Sequence, residues 1–245
     1  RHGVHRVLEG RTVTFTVLVA LALAVGSLVE AIPMFYGKQN VKEIASVKPY
    51  TPLEVLGRDI YLREGCYNCH SQLVRPFRYE TERYGEYSKA GEYVYDHPFQ
   101  WGSKRTGPDL HRVGGKYPSL WHVRHMKDPR STTPGSVMPR YPHILANDVD
   151  VASIGAKMRA LRAVGVPYTD GEIESAPAAI EAQAKAIAAE VEAQQGPKGL
   201  ARKEIVALTA YLQRLGTDIR WKKVAPQAPA APAPARGPHS PPPPP

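Results

Sequence analysis

The sequence is poor in cysteine: its 245 residues include only two, Cys66 and Cys69, which lie three positions apart. No thiol remains for a disulfide that would join distant segments of the chain. The sequence also lacks the second cysteine pair that would complete a four-cysteine zinc site. The two cysteines therefore have to be explained together, by a chemistry that uses one closely spaced pair.

Charge of one sign is not concentrated in any segment, although the chain as a whole is basic. The formal net charge is +9, from 32 lysines and arginines against 23 aspartates and glutamates. A basic balance can favour nucleic acid, anionic lipid or an acidic protein as the partner. Because the basic residues are scattered rather than packed into runs, we expect no nucleic-acid partner.

One stretch, from Thr12 to Val29, lacks charge altogether. Its 18 residues make about 27 Å of helix at roughly 1.5 Å each, so with the apolar residues that follow they can cross a membrane core of about 30 Å. Pro33 is expected to break or end this helix. A cleavable signal peptide is the alternative, although its apolar region is normally shorter. Glu30 at the outer end of the span either reaches interfacial water or faces a partner subunit.

Both cysteines belong to the segment Cys66-Tyr67-Asn68-Cys69-His70, whose pattern C-x-x-C-H is the attachment signature of a c-type haem. Residues at this spacing fit one helical turn, so that each thiol can reach one vinyl group of the porphyrin while the imidazole points at the iron. A bare C-x-x-C would leave a thioredoxin-like dithiol or a zinc site open, but a redox dithiol gains nothing from the histidine. The motif predicts one covalently bound haem c with His70 as an axial iron ligand.

The haem motif also decides the orientation of the membrane span, which the flanking charges leave open. Three arginines precede the span and three lysines follow it before residue 50. Bacterial cytochromes c are completed outside the cytoplasmic membrane, so Cys66 has to lie there. We therefore expect a single-pass protein of the bacterial inner membrane, with a cytoplasmic N-terminus and a periplasmic haem domain that contacts membrane lipid only through its anchor.

Iron bound by His70 has a second axial position, for which the chain offers four methionines. Met138 lies in a loop punctuated by proline and glycine, which can hold a thioether in one orientation, whereas Met126 and Met158 lie in predicted helices and Met34 lies at the membrane. A thioether ligand raises the potential and fills the iron, which predicts an electron carrier rather than an oxygen-binding protein. The competing ligands are histidines: His97, His111, His122, His125 and His143.

Outside the membrane span and the haem motif, the spacing of apolar residues mostly predicts helices. Thr51 and Glu54 form a capping box around Pro52, which predicts a helix that runs directly into the haem motif. Further helices are predicted over residues 119–127, 148–163 and about 201–215, the last with Gly216 as its C-cap. An Ala- and Glu-rich helix over residues 177–195 is interpreted as solvated or as an arm that faces a partner.

The segment from Leu73 to Lys104 is long, polar and rich in tyrosine, without clear periodicity. Its tyrosines either anchor an ordered loop to the haem crevice or form a docking surface. Tyrosine, tryptophan and arginine are enriched at protein interfaces, and loops of this length are usually functional. We favour the docking surface.

Taken together, the chain resembles the membrane-anchored mono-haem cytochrome c subunit of cbb3-type haem-copper oxidases. The residues that carry the resemblance lie roughly between positions 10 and 145: Leu28-Val29-Glu30, Ile32-Pro33, Tyr61–His70, Ser71-Gln72, Arg75-Pro76, Tyr84–Ser88, Pro98–Leu110 and Met138-Pro139. The helix near 178–195 and the proline-rich tail have no counterpart in this resemblance.

The resemblance implies an all-α protein with one N-terminal transmembrane helix and a class I cytochrome c domain with a long loop insertion. The Pro/Ala low-complexity composition from Ala225 to Pro245 predicts in addition a disordered Pro-rich tail. The expected ranges are 1–36 for the N-terminal segment and anchor helix, 37–50 for a connector, 51–218 for the cytochrome c domain and 219–245 for the tail. Insertions in the domain are expected at about 73–105 and 165–199. The last helix would pack across the first, with Tyr211 at the crossing.

For the site, the resemblance implies that the Pro108 carbonyl accepts a hydrogen bond from His70 Nδ1 and that Met138 is the sixth ligand. Lys104 or Arg105 would lie near the catalytic subunit and could meet haem propionates. The chain would pass single electrons from a donor cytochrome c, or a second cytochrome c subunit, to haem b of the catalytic haem-copper membrane subunit. The alternatives are a free-standing tethered electron shuttle, the cytochrome subunit of a nitric oxide reductase, and a haem-based sensor with an open iron site.

Overall fold

The computed structural model describes residues 3–36, 41–102 and 104–219. Almost all of the expected tail, and part of the connector, lie outside these ranges. Within them the regular structure is helical, with a single isolated β-bridge between Asp148 and Lys203, which confirms the all-α class. The α-helices are α1 (Val4–Glu9), α2 (Thr12–Tyr36), α3 (Pro52–Arg63), α4 (Arg78–Tyr84), α5 (Ser119–Lys127), α6 (Pro129–Thr132), α7 (His143–Ala146), α8 (Ile154–Ala163), α9 (Asp170–Ala193) and α10 (Glu204–Arg214).

Helix α2 is the candidate membrane span. Its residues Thr12–Pro33 reach a mean hydropathy of 2.3, and 0% of the most apolar window is buried against the rest of the chain. By length and composition this helix can cross a membrane. The expectation that Pro33 ends the helix is wrong, because α2 continues to Tyr36 with Pro33 inside it. Pro33 has no N–H to donate to the Val29 carbonyl, so the helix lacks that one hydrogen bond but still continues for three residues beyond Pro33.

The centre of the domain is the crossing of α3 and α10, as predicted for the first and last helices. Thr51 and Glu54 form the expected capping box, and Pro52 occupies the first turn of α3. At the crossing, a Cβ on Gly57 would lie 1.9 Å from the Ala207 carbonyl oxygen, so only glycine allows this close approach. The fully buried ring of Tyr211 packs 5.4 Å from the ring of Tyr61, which confirms its predicted place.

Helix α9 corrects the prediction of a solvated or partner-facing arm. The helix begins at Asp170, seven residues before the expected start, with a capping box between Thr169 and Glu172. One face of it is buried against α3, α5, α8 and α10. The buried side chains are Ile173, Ala176, Ile180, Ala184, Ala188 and Val191. The Ala-rich stripe therefore belongs to the core, because small side chains let neighbouring helices approach closely.

The other helices follow the predictions more closely. Helix α5 has the expected bounds, and α10 is followed by Gly216 in a left-handed conformation, φ +71°. Helix α8 starts at Ile154 rather than at Asp148. The preceding residues are held extended instead, since Val149 N donates to the Arg202 carbonyl at 2.9 Å and the Asp148 carboxylate pairs with Lys203 at 2.7 Å.

The segment from Leu73 to Lys104 contains the short helix α4 and a 3₁₀ turn at Ala90–Tyr93 rather than a featureless loop. Tyr93 donates a hydrogen bond to the Gln72 carbonyl at 2.6 Å and so attaches the segment beside the haem motif. Other aromatic side chains stay exposed, namely Phe77, Tyr79, Tyr87 and Trp101. The segment is thus both anchored and open to a partner.

Candidate haem-attachment site

The C-x-x-C-H segment begins where α3 ends. Gly65 takes a left-handed conformation, φ +69°, and reverses the chain into a 3₁₀ turn at Cys66–Asn68. The turn closes with a backbone hydrogen bond from His70 N to the Cys66 carbonyl at 2.9 Å. Both thiols are free, with Cys66 half-buried and Cys69 exposed. The predicted helical turn is confirmed, and it presents the two thiols and the imidazole from one short piece of chain.

The His70 ring is held by two backbone groups of the segment that follows Thr106. Nδ1 lies 2.8 Å from the Pro108 carbonyl oxygen, so Nδ1 carries the hydrogen and donates it. A Cβ on Gly107 would lie 2.2 Å from His70 Cε1, so the glycine backbone packs directly against the ring. Burial lowers the pKa of His70, an effect that the bond to Pro108 partly opposes. The ring is left with Nε2 as its free, lone-pair-bearing nitrogen, which is the atom an iron ligand needs.

The donor set fits a haem better than it fits a bare metal ion or a redox dithiol. Among the described residues, no group of three or more His, Cys, Asp or Glu side chains could hold a metal ion. An iron that arrives in a porphyrin already has four ligands and needs only axial ones from the protein. Burial raises the pKa of Cys66 to about 12, whereas a redox-active cysteine needs a lowered pKa.

The loop after α6 contains Met138, the predicted sixth ligand. Gly135 has φ +78°, and Tyr141 N donates to the Met126 carbonyl at 2.9 Å, which attaches the far end of the loop to α5. Burial raises the pKa of Tyr141, and the charges of Cys66 and Cys69 raise it further, so this residue lies within electrostatic range of the attachment turn. Met138 is half-buried against the core. Its role as iron ligand stays a prediction.

A family model described as cytochrome c oxidase, mono-heme subunit/FixO, matches residues 5–219. The chain belongs to this family. No match was found among curated proteins. As a FixO-family chain it is a mono-haem subunit of a cytochrome c oxidase, associates with other oxidase subunits and binds one haem.

In this FixO-family subunit, most of the competing histidines are already engaged or lie away from the turn. His111 and His143 point Nε2 at the carboxylates of Glu92 and Glu64, each at 2.9 Å, and His97 is exposed. Neither ring nitrogen of the buried His122 has a hydrogen-bond partner among the described residues, and burial lowers its pKa to about 4.

His125 is the competitor that interacts electrostatically with His70. Burial lowers its pKa, and the charge of His70 lowers it further. Its Nδ1 lies 2.6 Å from Thr132 Oγ1. Met126 and Met158 are buried core residues, as their helical positions predicted.

The suggested role of Arg105 toward haem propionates has no support in the structure, because its guanidinium faces inward. It donates to Ser71 Oγ and to the Leu73 carbonyl, both at 2.7 Å, and to Glu80 at 2.8 Å. Lys104 is exposed. Ser71, Glu80 and Asp109 were not predicted as site residues. Asp109 could have been predicted, because it directly follows Pro108 in the sequence.

Proposed function

We propose that the chain is the electron-transfer subunit of a cbb3-type oxidase. It carries one covalent haem c on Cys66 and Cys69, with His70 and Met138 as axial ligands. It takes single electrons from a c-type cytochrome, either a donor or a second cytochrome c subunit, and passes them to haem b of the catalytic haem-copper subunit. Helix α2 anchors it in the bacterial cytoplasmic membrane, with its N-terminus in the cytoplasm and its haem domain in the periplasm.

The observation that carries this proposal is the geometry of His70. The hydrogen bond to Pro108 and the contact with Gly107 fix both the tautomer and the plane of the ring before any ligand is added. When bound, the haem supplies a one-electron Fe(III)/Fe(II) couple. The chain's own part is to hold the axial ligands still, because little rearrangement between the two oxidation states favours rapid electron transfer.

The segment from Leu73 to Lys104 supports the choice of an oxidase subunit over a bare shuttle. Its aromatic side chains Phe77, Tyr79, Tyr87 and Trp101 are between 44% and 61% exposed, and aromatic residues of this kind are enriched in protein interfaces. Trp101 lies close to the attachment turn, since its carbonyl accepts a hydrogen bond from Gln72 N at 2.9 Å. We assign this surface to the contact with the catalytic subunit.

The test is gentle detergent solubilisation, native purification through a tag on this chain, and an optical spectrum of the purified material. We expect a b-type haem and a large hydrophobic subunit to co-purify, together with oxygen consumption. Recovery of the chain alone with a c-type spectrum, after mild cross-linking has excluded dissociation in detergent, would favour the tethered shuttle. Co-purification of non-haem iron with nitric oxide reduction would favour the reductase.

A further inference from the structure

The buried carboxylate of Asp109 joins the two pieces of chain on either side of the His70 ring. One oxygen accepts from Ser71 Oγ at 2.6 Å and from Leu73 N at 2.8 Å, and the other accepts from His111 N at 2.9 Å. Asp109 directly follows Pro108, and Ser71 directly follows His70. The carboxylate therefore fixes the distance between the ligand and the carbonyl that the ligand contacts.

Two backbone hydrogen bonds reinforce this connection. Gly107 N donates to the Cys69 carbonyl at 2.9 Å, and Leu110 N donates to the Ser71 carbonyl at 2.8 Å. The segments 69–73 and 107–111 are thus joined on both sides of the contact between His70 and Pro108. The side chain of Asp109 supplies the hydrogen bonds that the backbone alone does not make.

Arg105 neutralises and orients this carboxylate from the side of α4. Its Nε donates to Ser71 Oγ, and its Nη2 lies 3.5 Å from Asp109 and 2.8 Å from Glu80. Glu80 is fully buried, and it also accepts hydrogen bonds from the backbone and side chain of Arg75. A buried carboxylate is stable only when it is paired with an opposite charge and hydrogen-bonded. The carboxylates of Asp109 and Glu80 both meet this condition.

We propose that Asp109, with Ser71 and Arg105, is a positioning residue that sets the strength of the His70–Pro108 hydrogen bond and thereby the reduction potential of the haem. This inference rests on the proposed function, because it concerns the haem that His70 would hold. A strong bond from Nδ1 to a carbonyl makes an imidazole a more basic ligand, which stabilises Fe(III) and lowers the potential. Loosening the cluster weakens that bond and raises the potential.

Asp109→Asn is the first variant to measure, in the full chain within its detergent-solubilised complex. Both carboxylate oxygens accept hydrogen bonds from backbone N–H groups. The amide of asparagine has only one oxygen, so its NH₂ group would face one of these N–H donors and that hydrogen bond would be lost. We expect the equilibrium constant for haem c reduction to rise about tenfold, which is 59 mV for one electron. The g values of the low-spin ferric electron paramagnetic resonance spectrum, which depend on the axial ligands, should shift as well.

Three further variants separate positioning from simple loss of charge. Asp109→Glu keeps the charge but lengthens the side chain, and Ser71→Ala keeps every charge while removing one hydrogen bond; both should raise the equilibrium constant, Ser71→Ala by about threefold. Glu82→Gln removes an exposed carboxylate of α4 and should leave the constant and the spectrum unchanged.

Unchanged potentials and g values in both Asp109→Glu and Ser71→Ala would overturn the inference, whatever Asp109→Asn does. If Asp109→Asn does not yield a chain with covalent haem, the potential and g values of Ser71→Ala still test the positioning role. A wild-type chain that purifies without b-type haem would contradict the proposed oxidase partner, yet the potentials of these variants would still be measured on its own haem c. A wild-type chain without covalent haem would overturn both proposals.

Discussion

His70 is held by two groups that carry no functional side chain, the Gly107 backbone and the Pro108 carbonyl. The resemblance implies that the segment Gly107–Leu110 lies against the histidine and that Pro108 accepts its hydrogen bond; the structure adds that the Gly107 backbone is too close to the ring for any side chain. From the sequence alone, a glycine before a proline predicts an ordinary turn as well as it predicts a close contact with another residue. Only the three-dimensional approach of the His70 ring distinguishes a glycine required by close packing from one required by a turn.

Gly107→Ala should therefore displace His70. The new Cβ would lie 2.2 Å from Cε1, a distance that non-bonded carbon atoms do not adopt, so the ring or the Pro108 segment has to move. We expect at least a severalfold loss of covalent haem per chain, measured by haem staining against immunoblot signal. Gly171→Ala is the matched control, because nothing lies within 4 Å of its new Cβ. Equal haem content in both variants would contradict the packing argument.

Met138→Ala tests the sixth ligand. Loss of the thioether should open the iron, so that the reduced protein binds carbon monoxide and the far-red charge-transfer band of thioether-ligated ferric haem disappears. Met158→Leu, in the core, should leave both properties unchanged. A variant that still resists carbon monoxide would point to a histidine ligand. His125, which interacts electrostatically with His70, is the first to test, and His125→Ala in the Met138→Ala background would then open the iron.

At the scale of the elements, local signals in the sequence predicted several helices, whereas the burial of a helix depends on long-range contacts. The capping box at Thr51 and the apolar spacing of α10 are local, and both predictions were confirmed. For α9, Pro177 was taken as the start, although Thr169 and Glu172 form a capping box further upstream. The burial of its alanines depends on which helices pack beside it, and no local pattern contains that information.

Ile180→Ala measures how far α9 contributes to the core. The side chain is 2% exposed, and truncation of a buried isoleucine costs about 2–5 kcal/mol of the free energy of unfolding. Thermal unfolding of the full chain in detergent, followed by circular dichroism, should show a clear fall in Tm. Lys185→Ala on the exposed face of the same helix should change Tm little. Similar Tm values for the two variants would restore the view of α9 as a solvated arm.

At the scale of the whole molecule, two buried carboxylates make stability depend on acid pH. Burial acts to raise the pKa of Glu80 and of Glu92, but hydrogen bonds from Arg105 and Arg75 to the first, and from Arg112 and His111 to the second, lower each to about 2. In the unfolded chain both titrate near 4.5, so the unfolded state binds more protons between these values.

The contribution of these two carboxylates to stability is therefore expected to be constant above about pH 5 and to fall as the pH drops toward about 2. Denaturant unfolding of the full chain at several pH values measures this slope. Glu80→Gln should be less stable at neutral pH and should lose part of the slope, whereas Glu174→Gln, at an exposed position of α9, should keep it. A Glu80→Gln variant with the wild-type slope would show that Glu80 does not contribute.

The exposed aromatic surface of residues 73–104 is the feature that relates the subunit to its assembly. Trp101 is 51% exposed, and its ring is tilted against that of Phe99 with the centroids 4.9 Å apart. The hydrogen bond from Gln72 N is accepted by the Trp101 backbone carbonyl, which a side-chain substitution leaves in place. An aromatic residue at the centre of an interface contributes about 2 kcal/mol or more, roughly thirtyfold in affinity.

Trp101→Ala should therefore reduce the amount of catalytic subunit recovered with this chain, while the covalent haem content stays constant. Val164→Ala, an exposed apolar residue at the end of α8, should co-purify normally. If both variants retain the full complement of subunits, the docking surface lies on another face, and α2 becomes the next element to test.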